Sequence, residues 1–124
     1  MKALQILVLA FVCSVSTAWA AETYPGPHEA GPNIYHKIFE NDEVRVSEVT
    51  FKAGESIPMH HHSYGHCLYV LEAGQLTISH PDGTSVVMDA KAGDVMWMGT
   101  EDHAAQNTGT TTVKVLVTEV KKSL

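Results

Sequence analysis

The chain has only two cysteines in 124 residues, Cys13 and Cys67. Cys13 falls in an N-terminal apolar stretch that reads as a leader, which leaves Cys67 alone and excludes an internal disulfide. A domain this small must then rest on its core, on a metal or on oligomerisation. Positive charge is also scarce: Lys plus Arg is 8 against 14 for Asp plus Glu, a net −6. No basic run exceeds Lys121-Lys122, so no nucleic acid partner and no anionic membrane surface is expected. After residue 20 no ten-residue segment has helical apolar periodicity. Neither a Gly-x-Ser-x-Gly turn nor a glycine-rich phosphate loop is present. Hydrophobic residues nevertheless make up 44% of the chain and charged residues 18%, the balance of one globular domain.

The first twenty residues are set apart. Lys2 gives a minimal positive start, residues 3–15 are apolar but too short to span a bilayer, and Ala18-Trp19-Ala20 has the form of a cleavage site. Residues 1–20 are expected to be a signal peptide, cut after Ala20. The protein would then be exported, periplasmic or secreted, and would have no membrane attachment once cleaved. Residues 21–32 hold three Pro and two Gly without apolar periodicity, and read as an extended N-terminal arm. The folded domain is expected over 33–124.

Within that domain, short β-rich runs alternate with turn residues. They cover 34–40, 43–51, 57–62, 66–72, 75–80, 84–89, 95–98, 103–107 and 112–120. Pro81-Asp82-Gly83 marks a hairpin, and Ala53-Gly54-Glu55 and Ala92-Gly93-Asp94 mark turns. The step from Val46 to Val49 breaks strict alternation and suggests a bulge. In the last run Val113, Val115 and Val117 share one face. Short strands at such regular spacing predict an all-β sandwich or barrel.

What the chain has in excess is histidine: eight in all, four of them between His60 and His66. On a strand, residues i and i+2 point the same way, so His60 and His62 can reach one ion while His61 points away. His66 opens the next strand and offers a third imidazole. His103 lies downstream, flanked by Ala104 and Ala105. Neutral imidazole is a good ligand for divalent transition metals.

The spacing around these histidines resembles the cupin superfamily. Its first motif is matched by Gly54, five residues, His60-His61-His62, three residues, His66 and later Gly74. Its second is matched by Gly93, five residues, Gly99, then His103, three residues and Asn107. Three departures stand out. The family's ligand Glu is absent. Gly99 stands where Pro is usual, and the loop before His103 is one residue short. With a three-residue spacer His66 takes the Glu position, and with a four-residue spacer Cys67 does. The first spacing is preferred because it keeps the distance to Tyr69-Val70-Leu71 and puts the extra residue, Ala73, in a turn.

The resemblance implies a double-stranded β-helix, a jelly-roll barrel of two antiparallel sheets. It also implies a divalent transition metal held by His60, His62, His66 and His103, with iron as the first choice and copper, manganese, nickel or zinc as alternatives. An all-His site lacks the charge of a ligand carboxylate and should favour anionic ligands. The expected function is dioxygenase-like oxidation of a small anionic organic molecule, with a non-catalytic metal- or ligand-binding module as the alternative. Tyr64 and Trp97 are expected in the substrate pocket, and Asn107 is expected to brace the second motif. Gly54, Gly74 and Gly93 are read as turn positions. The family also implies a homodimer, towards which the 21–32 arm could reach.

Overall fold

The computed structural model describes residues 23–122. The expected signal peptide, residues 1–20, lies outside the described residues. Nine strands follow a single helical turn: α1 (Pro27–Ala30), β1 (Tyr35–Glu40), β2 (Val44–Phe51), β3 (Ser56–His62), β4 (His66–Glu72), β5 (Gly74–Ser79), β6 (Ser85–Ala90), β7 (Val95–Met98), β8 (Glu101–Asn107) and β9 (Val113–Val120). They form two antiparallel sheets, ordered β1-β2-β9-β4-β7 and β3-β8-β5-β6. Among the described residues no helix is long and apolar enough to cross a membrane.

The alternation of each strand sorts its side chains between the inside and the outside. Val49, Phe51, Ile57, Leu68, Val70, Leu76, Ile78, Val113, Val115 and Val117 fill the space between the sheets. The break of alternation in β2 has a different cause from the expected bulge. Strand β2 pairs with β9 without interruption, and the extra residue lies in β1 at Ile38. The inward series of β2 is Ser47, Val49, Phe51, with a hydroxyl where the pattern predicts an apolar group. Ser47 is 1% exposed, and its Oγ bonds to His28 Nε2 at 2.8 Å. That bond satisfies a polar group that would otherwise be costly to bury.

Of the expected extended arm at 21–32, the described part, residues 23–32, is not extended throughout. Pro27 opens α1, where its missing N–H costs nothing. The segment lies on its own barrel: Pro25 O accepts from His61 N at 2.9 Å, and Gly31 packs so closely on Ile57 that a Cβ would come within 2.6 Å. Gly74 also departs from its expected turn role. It opens β5, where a Cβ would meet Val113 Cγ2 at 2.6 Å, so close approach rather than backbone freedom requires glycine. Gly54 and Gly93 do hold positive φ, at 83° and 92°.

One more irregularity aims the histidines. In the β3–β8 pair, Ile57 faces Ala105 and His60 faces His103, so β3 carries one residue more than β8 between these points. The bulge falls at Pro58-Met59, where a proline cannot complete a ladder. It reverses the parity of β3, so Ile57, His60 and His62 all turn inward.

Candidate metal centre

One end of the barrel interior is apolar and the other is polar. Along β9 the inward series runs Val113, Val115, Val117, Glu119, and along β4 it runs from His66 to Leu68 and Val70. His60, His62, His66 and His103 all lie inside this polar end, each 5% exposed or less. His60 stands opposite His103 across β3 and β8, and His66 opposite Glu119 across β4 and β9.

His60, His62 and His103 each present a ring nitrogen, all within 4.8 Å of one another. The Nε2 atoms of His60 and His62 are 3.1 Å apart. Two nitrogens bound at about 2.1 Å to one ion stand about 3.0 Å apart at a right angle and about 3.4 Å apart in a tetrahedron. The observed spacing therefore fits two ligands of one ion. His66 stacks on His62 with ring centroids 4.2 Å apart, beside the mutually close trio rather than within it. Cys67, the alternative for the Glu position, is only partly buried and pairs across the outer face with Trp97.

The rings are held by their second nitrogens. His60 Nδ1 donates to Pro58 O at 2.9 Å, and His66 Nδ1 donates to Tyr64 O at 3.1 Å. Each bond leaves Nε2 with its lone pair directed inward. Burial lowers the pKa of His60 to about 4 and that of His103 to about 3, and also lowers that of His66. The neighbouring imidazoles push the same way, because each would repel a second positive charge. At neutral pH the three are uncharged, the form that binds metal. His61 points outward and pairs with Asp102 at 2.6 Å.

Three residues of this end were missed in the sequence. Tyr35, at the start of β1, is 9% exposed, and its ring lies edge-on to His60 at 6.1 Å. Burial and the nearby Glu119 and Glu101 raise its pKa. Glu119 is 1% exposed, accepts from Arg45 Nε, and stands 3.6 Å from His62 Nδ1. Burial opposes its ionisation, but His62 and Arg45 prevail and hold its pKa at about 2. Glu101 lies 3.1 Å from His103 Nδ1, and burial raises its pKa. Glu119 was legible: two places beyond Val117, it continues the apolar face already read in the last strand.

Tyr64 and Trp97 do not line the histidine cavity. Trp97 is 61% exposed, and both residues border an open outer cleft of about 370 Å³ with Gly65, Lys121 and Lys122. Because His66 turns inward, Cys67 turns outward and carries its partner Trp97 with it, while Met98 lines the interior. The interior cavity, bounded by His62, His66, His103, Tyr35, Leu68 and Met98 among others, has about 40 Å³ of free space. Asn107 braces the second motif as expected: its amide donates to Phe51 O and Thr111 O and accepts from Gly109 N.

Among curated proteins no sequence matches the chain. Solved structures do. A cupin domain from Bordetella pertussis Tohama I matches with a TM-score of 0.67 at 24% identity, over 82% of this chain and 99% of that one. The polyketide cyclase RemF from Streptomyces resistomycificus matches at 0.56 and 22% identity, over 71% of this chain and 64% of that one. The cupin domain of Schizosaccharomyces pombe Cnp3 matches at 0.57 and 15% identity, over 71% and 64%. At such identities the likeness concerns the fold, and one fold hosts many chemistries. The family model described as "Cupin domain" matches residues 47–119, a span that takes in both histidine motifs, and the chain belongs to this family.

Proposed function

We propose that the protein is an exported cupin that holds one divalent transition metal in His60, His62 and His103 and oxidises a small anionic molecule there. The observation that carries this reading is the convergence of three buried imidazoles whose ring nitrogens lie within 4.8 Å of one another. Their chemistry fits a divalent ion of the iron-to-zinc series, and iron is our first choice. A bound ion of this kind supplies Lewis acidity and, where it is redox-active, a path for electrons.

The chain's own residues do the rest. The carbonyls of Pro58 and Tyr64 orient His60 and His66. Tyr35, Leu68 and Met98 wall the cavity and exclude water. Imidazole ligands leave the charge of the ion uncancelled, which attracts carboxylates, enolates or thiolates. Export is supported by the pattern of residues 1–20. Pairing of two copies is supported by Tyr69, Val95 and Trp97, all exposed on one outer sheet face.

The size of the cavity favours a second reading. Free space of about 40 Å³ holds little more than one water molecule. A non-catalytic metal-binding module requires no more room than that. Oxygen consumption separates the two readings. The exported protein, loaded with Fe²⁺ or Cu²⁺, is offered a panel of small carboxylates, enols and thiols. Oxidation predicts substrate-dependent O₂ uptake that His60→Ala abolishes. Stoichiometric metal without O₂ uptake on any of them overturns the oxidative reading and leaves the binding module.

A further inference from the structure

Four buried side-chain atoms make no hydrogen bond among the described residues: His62 Nδ1, His103 Nδ1, Glu101 Oε1 and Glu119 Oε1. They are not scattered. They form two facing pairs, His62 with Glu119 at 3.6 Å and His103 with Glu101 at 3.1 Å. The other two histidines have Nδ1 bound to the carbonyl two residues earlier. Every inward histidine thus has an oxygen assigned to its outer nitrogen, and only the two carboxylate pairs are left unmade.

An unmade hydrogen bond between buried partners costs roughly 1–3 kcal/mol. Burying a carboxylate costs more still unless it is paired. A fold that keeps two such pairs side by side needs a reason for them. One lies in the ligand chemistry. An imidazole that gives its Nε2 lone pair to a cation becomes a stronger donor at Nδ1–H, and a carboxylate there fixes the tautomer and raises the basicity of the ligand.

We propose that Glu101 and Glu119 are positioning residues that lock the Nδ1–H tautomers of His103 and His62. They also supply, one atom removed, the negative charge that a ligand carboxylate would bring. This rests on the metal-binding reading above and extends it. The three imidazoles become an ordered cage rather than a mobile cluster. The charge of a divalent ion is partly balanced by two carboxylates, Glu119 buried and Glu101 partly so, and Arg45 offsets the first. The preference for anionic ligands expected of an all-imidazole centre is correspondingly weakened. Glu101 occupies an unspecified position of the second motif, between Gly99 and His103, and Glu119 lies beyond both motifs, so the motif residues point to neither.

The test uses the full exported chain, stripped of metal, with Zn²⁺ and Co²⁺ as probes. Zn²⁺ affinity is read by competition with a chromophoric chelator, and the ligand field is read from Co²⁺ absorption. Glu101→Gln and Glu119→Gln should each weaken Zn²⁺ binding ten- to a hundredfold and shift the Co²⁺ bands. Glu101→Gln should leave the urea midpoint of the metal-free protein in place. Should Glu119→Gln fail to fold, Glu101→Gln decides alone, since among the described residues Glu101 has no ion-pair partner other than His103. Arg45→Gln tests whether Glu119 acts only through its ion pair, and it should keep wild-type affinity. A loss equal to that of Glu119→Gln would make the role structural and overturn the proposal. Wild-type affinity in both Glu variants would also overturn it, with metal binding intact. Failure of the wild type to bind either ion would remove the metal reading, and this inference with it.

Discussion

Lowering the pH from 7 to 5 should sharply weaken the metal-free protein. Burial and neighbouring imidazoles hold His60 at about 4 and His103 at about 3, against 6.5 for a free imidazole. Between these values the unfolded chain binds protons that the folded chain refuses, so stability falls as pH falls. The contribution is fully present above 6.5 and is lost as the pH drops towards the folded values. Integrated from pH 7 to 5, each histidine accounts for about 2 kcal/mol, and the two together for about 4. His66 and His28, also lowered by burial, add in the same direction. The raised pKa of Glu101 works the other way and offsets a part. A loss of this size is a large fraction of the stability of a domain of about a hundred residues. Urea titrations at half-unit pH steps, with chelator present throughout, would follow it. His103→Gln should remove about half the slope. An unfolding midpoint that stays level from pH 7 to 5 would mean that the histidines protonate freely in the fold, and the reasoning from burial would be wrong.

Other outcomes follow from the same geometry. His60→Ala and His103→Ala should lose metal retention in elemental analysis while His61→Ala keeps it, because His61 faces outward; equal losses in all three would contradict the strand parity. Asn107→Ala should lower stability by about 1–3 kcal/mol in urea, since it leaves the buried Phe51 carbonyl without its partner and also removes the bonds to Thr111 O and Gly109 N. Gly74→Ala should cost about 1–3 kcal/mol through its clash with Val113. Trp97→Ser should leave metal content unchanged and, if two copies pair through the outer face, shift the protein to monomer in sedimentation.

Much of this architecture was open to reading in the sequence because nearly every strand is short, alternating and bounded by turn residues. The face of Val113, Val115 and Val117 and the return strand read at 84–89, observed at Ser85–Ala90, needed nothing beyond local pattern. The helical turn within 23–32 is not legible because four residues carry no periodicity, and docking on Ile57, Ser47 and His61 holds it. The bulge at Pro58-Met59 went unread although the proline marks it, since parity alone puts Ile57 and His60 on opposite faces. Trp97 was assigned inward because alternation divides β7 into two sets without saying which faces the core. That choice is made by its pairing with β4, where the inward turn of His66 settles it. Glu119 shows the opposite case: its place on the inner face of β9 was legible, but its partners His62 and Arg45 come from distant strands that only the assembled barrel brings near.

The central claim is that this end of the barrel is built to hold a metal. The most direct test is the metal content of the protein, expressed in its native host and purified without a polyhistidine tag, by elemental mass spectrometry. The account predicts close to one equivalent of a divalent transition metal per chain, and its loss in His60→Ala. A native protein with no metal, which takes up none on reconstitution with iron, copper, manganese, nickel or zinc, would contradict it.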